Sequence, residues 1–150
     1  MFKRVVVGGT FDTLHLGHRR LIETAADVGD SIIIGLTSDE FATRFRPHKA
    51  PSYEKRRKQV EDFVKGFRKP YEIVRIDDSY GVATLDPGID CIVVSEETLL
   101  RAEEINTIRF KKNLAKLTVV VVPLALADDG KPISSERIKS KEIDEDGKIV

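Results

Sequence analysis

Two histidines three residues apart, His15 and His18, are the side chains of this sequence best suited to chemistry. They follow an apolar, strand-like run, Val5–Val7, and a glycine pair, Gly8–Gly9, that lets the chain turn sharply. A helix is expected to begin near Gly17, where free backbone N–H groups and the positive end of the helix dipole favour an anion. The sequence therefore predicts an anion site, of the kind that binds phosphate, at the start of this helix.

Other phosphate and metal motifs fit this stretch less well. A P-loop ends in Gly-Lys-Ser/Thr and a dinucleotide-binding turn reads Gly-x-Gly-x-x-Gly, and the residues after Gly8 match neither pattern. The two imidazoles are about one helical turn apart, but the glutamate of a His-Glu-x-x-His zinc helix is absent. We therefore expect the histidines to bind phosphate, and we predict no protein ligands for a metal.

The composition limits the possible partners. The 25 basic and 25 acidic residues cancel, so that no net field favours a nucleic-acid backbone. The single cysteine, Cys91, lies in an apolar run and is expected to be a buried hydrophobic residue. No apolar run approaches the roughly 18 residues of a membrane span, and the first residues do not resemble a signal peptide. These features predict a soluble, cytoplasmic protein with neither nucleic-acid nor membrane partners.

Hydrophobic periodicity predicts that strands and helices alternate along the chain. Strands are predicted at about Phe2–Val7, Ser31–Thr37, Pro70–Ile76, Asp90–Ser95 and Leu117–Leu124. Helices are predicted at about Gly17–Val28, Asp39–Phe45, Tyr53–Phe67 and Glu96–Leu114, with a short last helix after Pro132 and a loose tail over Asp144–Val150. Because the strands are solid apolar runs, both faces of the sheet must be covered. The prediction is one α/β domain over residues 1–150, with a doubly wound sheet of five parallel strands.

A doubly wound sheet binds ligands beyond the carboxyl ends of its strands, where the strand order reverses. In the usual order this point lies between the first and fourth strands, which end here at Gly8–Asp12 and at Ser95–Glu96. The basic loop Arg44–Ser52 follows the second strand and can reach the same edge. The neighbouring run of bases, Lys55–Lys58, is expected to form a solvated helix face.

The stretch from Thr10 to His18, Thr-Phe-Asp-Thr-Leu-His-Leu-Gly-His, resembles the T-x-x-x-x-H-x-G-H signature of the HxGH nucleotidyltransferase superfamily. Members of that superfamily transfer a nucleoside monophosphate from a nucleoside triphosphate to a small acceptor and release pyrophosphate. The segment Pro132-Ile-Ser-Ser resembles their serine-bearing helix start, which holds the triphosphate. From the residues alone, Ser134 or Ser135 is also explained as an ordinary helix N-cap.

A third segment narrows the resemblance. The residues Val93-Val-Ser-Glu-Glu-Thr98, with Asn106 and Arg109 on the helix that follows, resemble the phosphopantetheine adenylyltransferases of the archaeal and eukaryotic type. These Rossmann-like enzymes move AMP from ATP to 4′-phosphopantetheine in coenzyme A biosynthesis. By spacing alone, Glu96 and Glu97 are also favourable first-turn residues, and Arg109 is also explained as a solvated helix charge.

The resemblance implies a set of site residues. His18 is the expected donor to the α-phosphate and His15 to the neighbouring phosphates, while Thr10 and Lys49 orient the acceptor phosphate. Nucleotide contacts are implied for Gly8, Gly9, Thr10, Phe11, His15, Gly17, His18, Ser95, Glu96, Asn106, Arg109, Ser134, Ser135 and Arg137, and acceptor contacts for Thr10, Asp12 and Lys49. Mg²⁺ is expected with the ATP phosphates and is ligated largely by phosphate and water.

The sequence leaves two other functions open. The same chemistry acts on other acceptors in cytidylyltransferases and in flavin adenylyltransferases, whose motifs are similar to Thr10–His18. A non-catalytic nucleotide-binding module is a function of a different class. Such a module would not need the donors His15 and His18, and their presence counts against it. The oligomeric state, and whether His48 or Arg44–Arg46 enter the site, are not determined by the sequence.

Overall fold

A computed structural model describes residues 1–44 and 49–150 of the chain. Within these residues, five strands form one sheet: β1 (Phe2–Gly9), β2 (Gly29–Thr37), β3 (Tyr71–Ile76), β4 (Cys91–Ser95) and β5 (Thr118–Val122). The strand order is β3-β2-β1-β4-β5, and every neighbouring pair is parallel. The predicted five-stranded, doubly wound α/β fold is confirmed, and the order reverses between β1 and β4 as expected.

The helices connect the strands in the predicted alternation. In the described part of the chain they are α1 (Leu16–Val28), α2 (Asp39–Arg44), α3 (Tyr53–Val64), α4 (Leu99–Lys111) and α5 (Ser135–Lys139). Short 3₁₀ turns continue α3 at Lys65–Phe67, follow β3 at Gly81–Thr84 and precede α4 at Glu96–Thr98. The predicted helix Asp39–Phe45 extends one residue beyond the described range. None of the described helices is long and apolar enough to cross a membrane.

Two hydrophobic cores cover the two faces of the sheet. Val5 and Val7 of β1 pack with α1 and α3, whereas Val6 packs with Ile105 of α4 on the other face. Successive residues of a strand point to opposite faces, which is why the central strand must be apolar throughout. Cys91 lies in the first core with 0% exposure. Burial raises the pKa of its thiol to about 11, so the sulfur is protonated at neutral pH and behaves as the expected hydrophobic residue.

Helix α3 contains a buried charge that the sequence did not reveal. Lys55–Lys58 were expected to be solvated, yet the Arg56 side chain is 0% exposed. Its guanidinium pairs with Asp39 at 3.1 Å and donates to main-chain oxygens at the end of the sheet and in the loop before α3. Four consecutive bases give no signal for which of them points inward, because the partners of Arg56 belong mainly to other segments.

The C-terminal residues also differ from their prediction as a loose tail. Ile143 is 1% exposed and forms an antiparallel bridge with Ile149. The main-chain oxygen of Glu145 accepts a hydrogen bond of 2.9 Å from the N–H of Leu16, the first residue of α1. The segment therefore folds back and satisfies a helix N–H that would otherwise lack a partner. Two isolated isoleucines in a polar stretch are too sparse to form a sequence pattern.

Candidate active site

A cavity of about 630 Å³ opens at the carboxyl ends of β1 and β4. Its walls include the β1–α1 turn, the end of β4 and the start of α5. This is the point where the strand order reverses, and therefore the edge at which such a sheet binds ligands. The predicted site residues that line the cavity are Gly8, Gly9, Thr10, Phe11, Asp12, His15, Gly17, His18, Ser95, Ser134 and Ser135.

The β1–α1 turn has a constrained backbone. Phe11 and Leu14 adopt left-handed conformations, with φ of 49° and 43°, which are uncommon for residues with side chains. Gly17 makes room for the first histidine, because a Cβ at this position would lie 2.9 Å from Cε1 of His15. The glycine between the two histidines is thus required by the close approach of an imidazole ring.

The two histidines cap the start of α1, His15 from the N-cap position and His18 from the first turn. Nδ1 of His15 accepts hydrogen bonds from the N–H groups of Gly17 and His18, at 3.0 and 3.4 Å. Nδ1 of His18 accepts from the N–H of His15 at 3.3 Å. The rings stack with centroids 3.7 Å apart and an interplanar angle of 16°. Because a backbone N–H can only donate, each ring in its neutral form carries its proton on Nε2 and can donate from that atom.

The buried position of His15 predicts a pH-dependent stability. Burial lowers the pKa of His15 from 6.5 to about 4, while the Asp12 carboxylate opposes this shift and Arg19 adds to it. Between these pH values the unfolded chain binds a proton that the folded chain excludes. We therefore expect the free energy of unfolding to increase as the pH rises from about 4 to 6.5, as measured by urea denaturation at several pH values.

The variant His15→Asn is the matched control for this pH dependence. Asparagine can still cap the helix but has no titrating ring. Its free energy of unfolding should therefore rise less steeply than that of the wild type over the same interval. Equal slopes would show that other groups cause the pH dependence.

The two serines at the start of α5 have different roles. Oγ of Ser134 accepts a hydrogen bond from the N–H of Arg137 at 3.2 Å, which makes this serine the N-cap. Oγ of Ser135 donates to Asp12 and lies 3.0 Å from Oγ1 of Thr13. Ser135 therefore ties α5 to the β1–α1 turn, and the ordinary capping role belongs to its neighbour.

The sequence interpretation missed two cationic side chains that line the cavity. Nζ of Lys139 lies 3.3 Å from Oδ2 of Asp12, whose carboxylate is almost fully buried. Lys139 follows Ser135 by four residues, which places both on one helix face. Because Ser135 was a predicted site residue, this spacing could have indicated Lys139 as well. Arg101 on α4 is the second cation. Both charges suit the oxygens of a phosphorylated ligand.

Two residues predicted to contact the nucleotide, Arg109 and Asn106, have other partners in the structure and lie outside the cavity lining. Arg109 is 1% exposed. The acceptors of its guanidinium are the main-chain oxygens of Ala83, Asp86, Ile89 and Ala115, at 2.7 to 3.4 Å. Asn106 bonds to both main-chain groups of Leu117, at 2.8 and 3.1 Å. Both side chains hold α4 against the segments that flank it.

Three further predicted residues also lie outside the cavity lining. Arg137 pairs with Asp129 and Glu142, and Glu96 accepts a hydrogen bond from a main-chain N–H of the loop after β5. Lys49 is exposed at the end of the basic loop, so its contact with the acceptor stays a prediction. His48 and Arg46 belong to the part of that loop outside the described residues.

Comparison with known proteins gives consistent matches. Residues 6–141 match the family described as cytidylyltransferase-like. A phosphopantetheine adenylyltransferase from Methanothermobacter thermautotrophicus is 42% identical over 149 residues, which cover 99% of this chain and 90% of that protein. A phosphopantetheine adenylyltransferase from Methanopyrus kandleri is 44% identical over 146 residues, covering 96% and 92%. A crystal structure of a protein of unknown function from Archaeoglobus fulgidus matches with a TM-score of 0.68 and 35% identity, over 79% of this chain and 88% of that one.

Proposed function

This chain belongs to the cytidylyltransferase-like family and, within it, to the phosphopantetheine adenylyltransferases, and we propose that it carries out their reaction at the cavity described above. It is an adenylyltransferase of coenzyme A biosynthesis, which moves AMP from ATP to 4′-phosphopantetheine and yields dephospho-coenzyme A and pyrophosphate. The resemblance inferred from the sequence motifs is thereby confirmed. The observation that carries the proposal for the site is the stacked pair His15 and His18 at the cavity wall.

The reaction needs no nucleophilic side chain. A phosphate oxygen of the acceptor attacks the α-phosphorus of ATP, a new P–O bond forms, and the bond to pyrophosphate breaks. The acceptor phosphate is already anionic at neutral pH, so it attacks without a general base. Catalysis then depends on positioning the two phosphates and on stabilising the negative charge that develops between them.

The two imidazoles supply this stabilisation. His18 donates from Nε2 to the α-phosphate, and His15 donates to the neighbouring phosphates. Their Nδ1 atoms accept backbone N–H groups at the start of α1, which holds the rings in place before the substrate arrives. Donors oriented in advance in this way cost little reorganisation at the transition state. Because the pKa of His15 is about 4, this ring donates as a neutral imidazole at physiological pH.

The start of α5 holds the departing pyrophosphate. Ser134 and Ser135 lie at this wall, and Lys139 adds a positive charge one helical turn later. Arg101 supplies a second positive charge from α4. Ser135 also fixes the distance between this wall and the histidines, because it donates to Asp12 in the β1–α1 turn.

We propose that Mg²⁺ enters with the nucleotide. Among residues 1–44 and 49–150, no group of three or more histidine, cysteine, aspartate or glutamate side chains could hold a metal ion. The buried carboxylate at this wall, Asp12, already bonds to Ser135 and Lys139. This donor set fits an ion that would be held mainly by phosphate oxygens and water. When bound, such an ion neutralises triphosphate charge.

One assay tests both the activity and the acceptor. Pyrophosphate release is measured with ATP and, in parallel, with 4′-phosphopantetheine, glycerol 3-phosphate or flavin mononucleotide. We expect turnover with 4′-phosphopantetheine. Turnover only with one of the other two acceptors would refute the acceptor assignment. No pyrophosphate release with any acceptor would instead support the non-catalytic nucleotide-binding module.

The role of Lys49 can be tested in the same assay. We expect Lys49→Ala to raise the KM for 4′-phosphopantetheine about tenfold, the scale of one lost bond to a charged group, with the KM for ATP unchanged. The control is Lys55→Ala, which removes an exposed lysine of α3 outside the cavity lining. Equal kinetics for the wild type and Lys49→Ala would remove this lysine from the site.

A further inference from the structure

We propose that the buried residues Arg56 and Thr37 orient the hydroxyl proton of Thr10 toward the acceptor phosphate. The three residues form a directed chain of hydrogen bonds, which we call the threonine relay. This inference rests on the proposed function, because it takes the anion next to Thr10 to be the phosphate of 4′-phosphopantetheine.

The relay begins at a group that can only donate. The Arg56 side chain is 0% exposed, and its Nη1 donates to the main-chain oxygen of Thr37 at 2.8 Å and to that of Thr10 at 3.2 Å. The same Nη1 lies 3.3 Å from Oγ1 of Thr37. Nη1 carries two N–H groups for these three oxygens, so one N–H is shared, and because a guanidinium has no acceptor, the Thr37 hydroxyl accepts in this contact.

The second step fixes the direction of the Thr37 hydroxyl. Thr37 is 4% exposed and lies at the end of β2, next to the end of β1. Its Oγ1 donates to Oγ1 of Thr10 at 2.9 Å. A hydroxyl has a single proton, and that of Thr37 is used in this bond. The Thr10 oxygen is therefore an acceptor on the side that faces Thr37.

The third step leaves the Thr10 proton for the ligand. Thr10 lines the cavity, and within the described residues no group accepts a hydrogen bond from its hydroxyl. Since the other side of this oxygen already accepts from Thr37, its own proton is directed away from Thr37. A phosphate oxygen can only accept such a proton. The polarity of the relay thus favours an anion over a ligand group that itself donates.

The relay also explains why a charged residue, Arg56, is buried beside the ends of β1 and β2. Each hydrogen bond in a chain polarises the next, and a positive charge at its start strengthens the final donor. The main-chain contacts of Arg56 serve the fold by joining α3 to the ends of β1 and β2. The two hydroxyls are not needed for that joint, so the two roles can be separated by mutation.

The variants Thr37→Val and Thr37→Ser separate the relay from the fold. Valine keeps the shape of threonine and leaves the main-chain acceptors of Arg56 intact, but it removes the central hydroxyl. Serine restores that hydroxyl. Thr84→Val is the matched control, because Thr84 is a buried threonine (7% exposed) that does not line the cavity.

The measurement is the equilibrium affinity for 4′-phosphopantetheine and for unphosphorylated pantetheine, obtained by calorimetric titration. We expect Thr37→Val to lower the ratio of the two affinities about fivefold. Thr37→Ser and Thr84→Val should keep the ratio within about twofold. In turnover, Thr37→Val should raise the KM for 4′-phosphopantetheine and leave the KM for ATP unchanged.

Two results would overturn the relay. The first is an unchanged ratio of the two affinities in Thr37→Val, whether both affinities stay the same or fall equally, and the second is a Thr37→Ser variant that behaves like Thr37→Val. The proposed function fails separately: a wild type that binds 4′-phosphopantetheine but releases no pyrophosphate refutes the reaction, and the affinity ratio still tests the relay. A wild type that does not bind 4′-phosphopantetheine refutes both.

Discussion

Replacing His18 by alanine should lower kcat for pyrophosphate release by about 10²- to 10³-fold, the scale of losing one donor that acts at the transition state. The physical reason is the orientation of the ring, since Nδ1 is held by the N–H of His15 and the proton is on Nε2. The KM for ATP should change much less than kcat. Steady-state kinetics at saturating 4′-phosphopantetheine measures both quantities.

The variant His18→Asn separates catalysis from helix capping. The amide of asparagine reaches the position of Nδ1 and can accept from the N–H of His15, but it does not reach the position of Nε2. We therefore expect it to be about as slow as His18→Ala, with a melting temperature closer to the wild type. Recovery of kcat in His18→Asn would show that His18 acts through the helix cap. A variant in which kcat holds and only KM rises would show that this ring binds the ground state alone.

The variant Arg109→Met should lower the free energy of unfolding by about 3 kcal/mol, because it removes the donors from several buried main-chain oxygens. The side chain is 1% exposed and holds α4 to the loop before β4. Burial lowers the pKa of Arg109 from its usual value, and the nearby Asp86 carboxylate opposes the shift. Urea denaturation measures the loss of stability.

Arg101→Met is the matched control on the same helix. Arg101 is exposed and lines the cavity, so its loss should change the free energy of unfolding by less than about 0.5 kcal/mol. Its KM for ATP should rise about tenfold, as expected for one lost bond to a phosphate. If Arg109→Met kept its stability and raised the KM for ATP, Arg109 would be the nucleotide ligand that the sequence resemblance implied.

The sequence by itself determined the fold class and the central motif of the site. Apolar runs such as Val5–Val7 must be buried on both faces, and helices of predictable length separate them, so a doubly wound parallel sheet follows. His15, Gly17 and His18 also form a local motif that spans four residues. His15 caps the helix, and Gly17 makes room for its ring. Interactions over so short a span leave a pattern that can be read in the chain.

The tertiary structure alone decided which charged residues line the cavity and which are buried among main-chain oxygens. Arg56 and Thr10 are 46 residues apart in sequence, and the acceptors of Arg109 are spread over segments on both sides of α4. Lys139 reaches the cavity through Asp12, 127 residues away. An arginine or lysine is equally compatible with solvent, with a phosphate or with buried carbonyl oxygens. Which of these it contacts is set by the segments that packing brings next to it, and the local sequence does not record them.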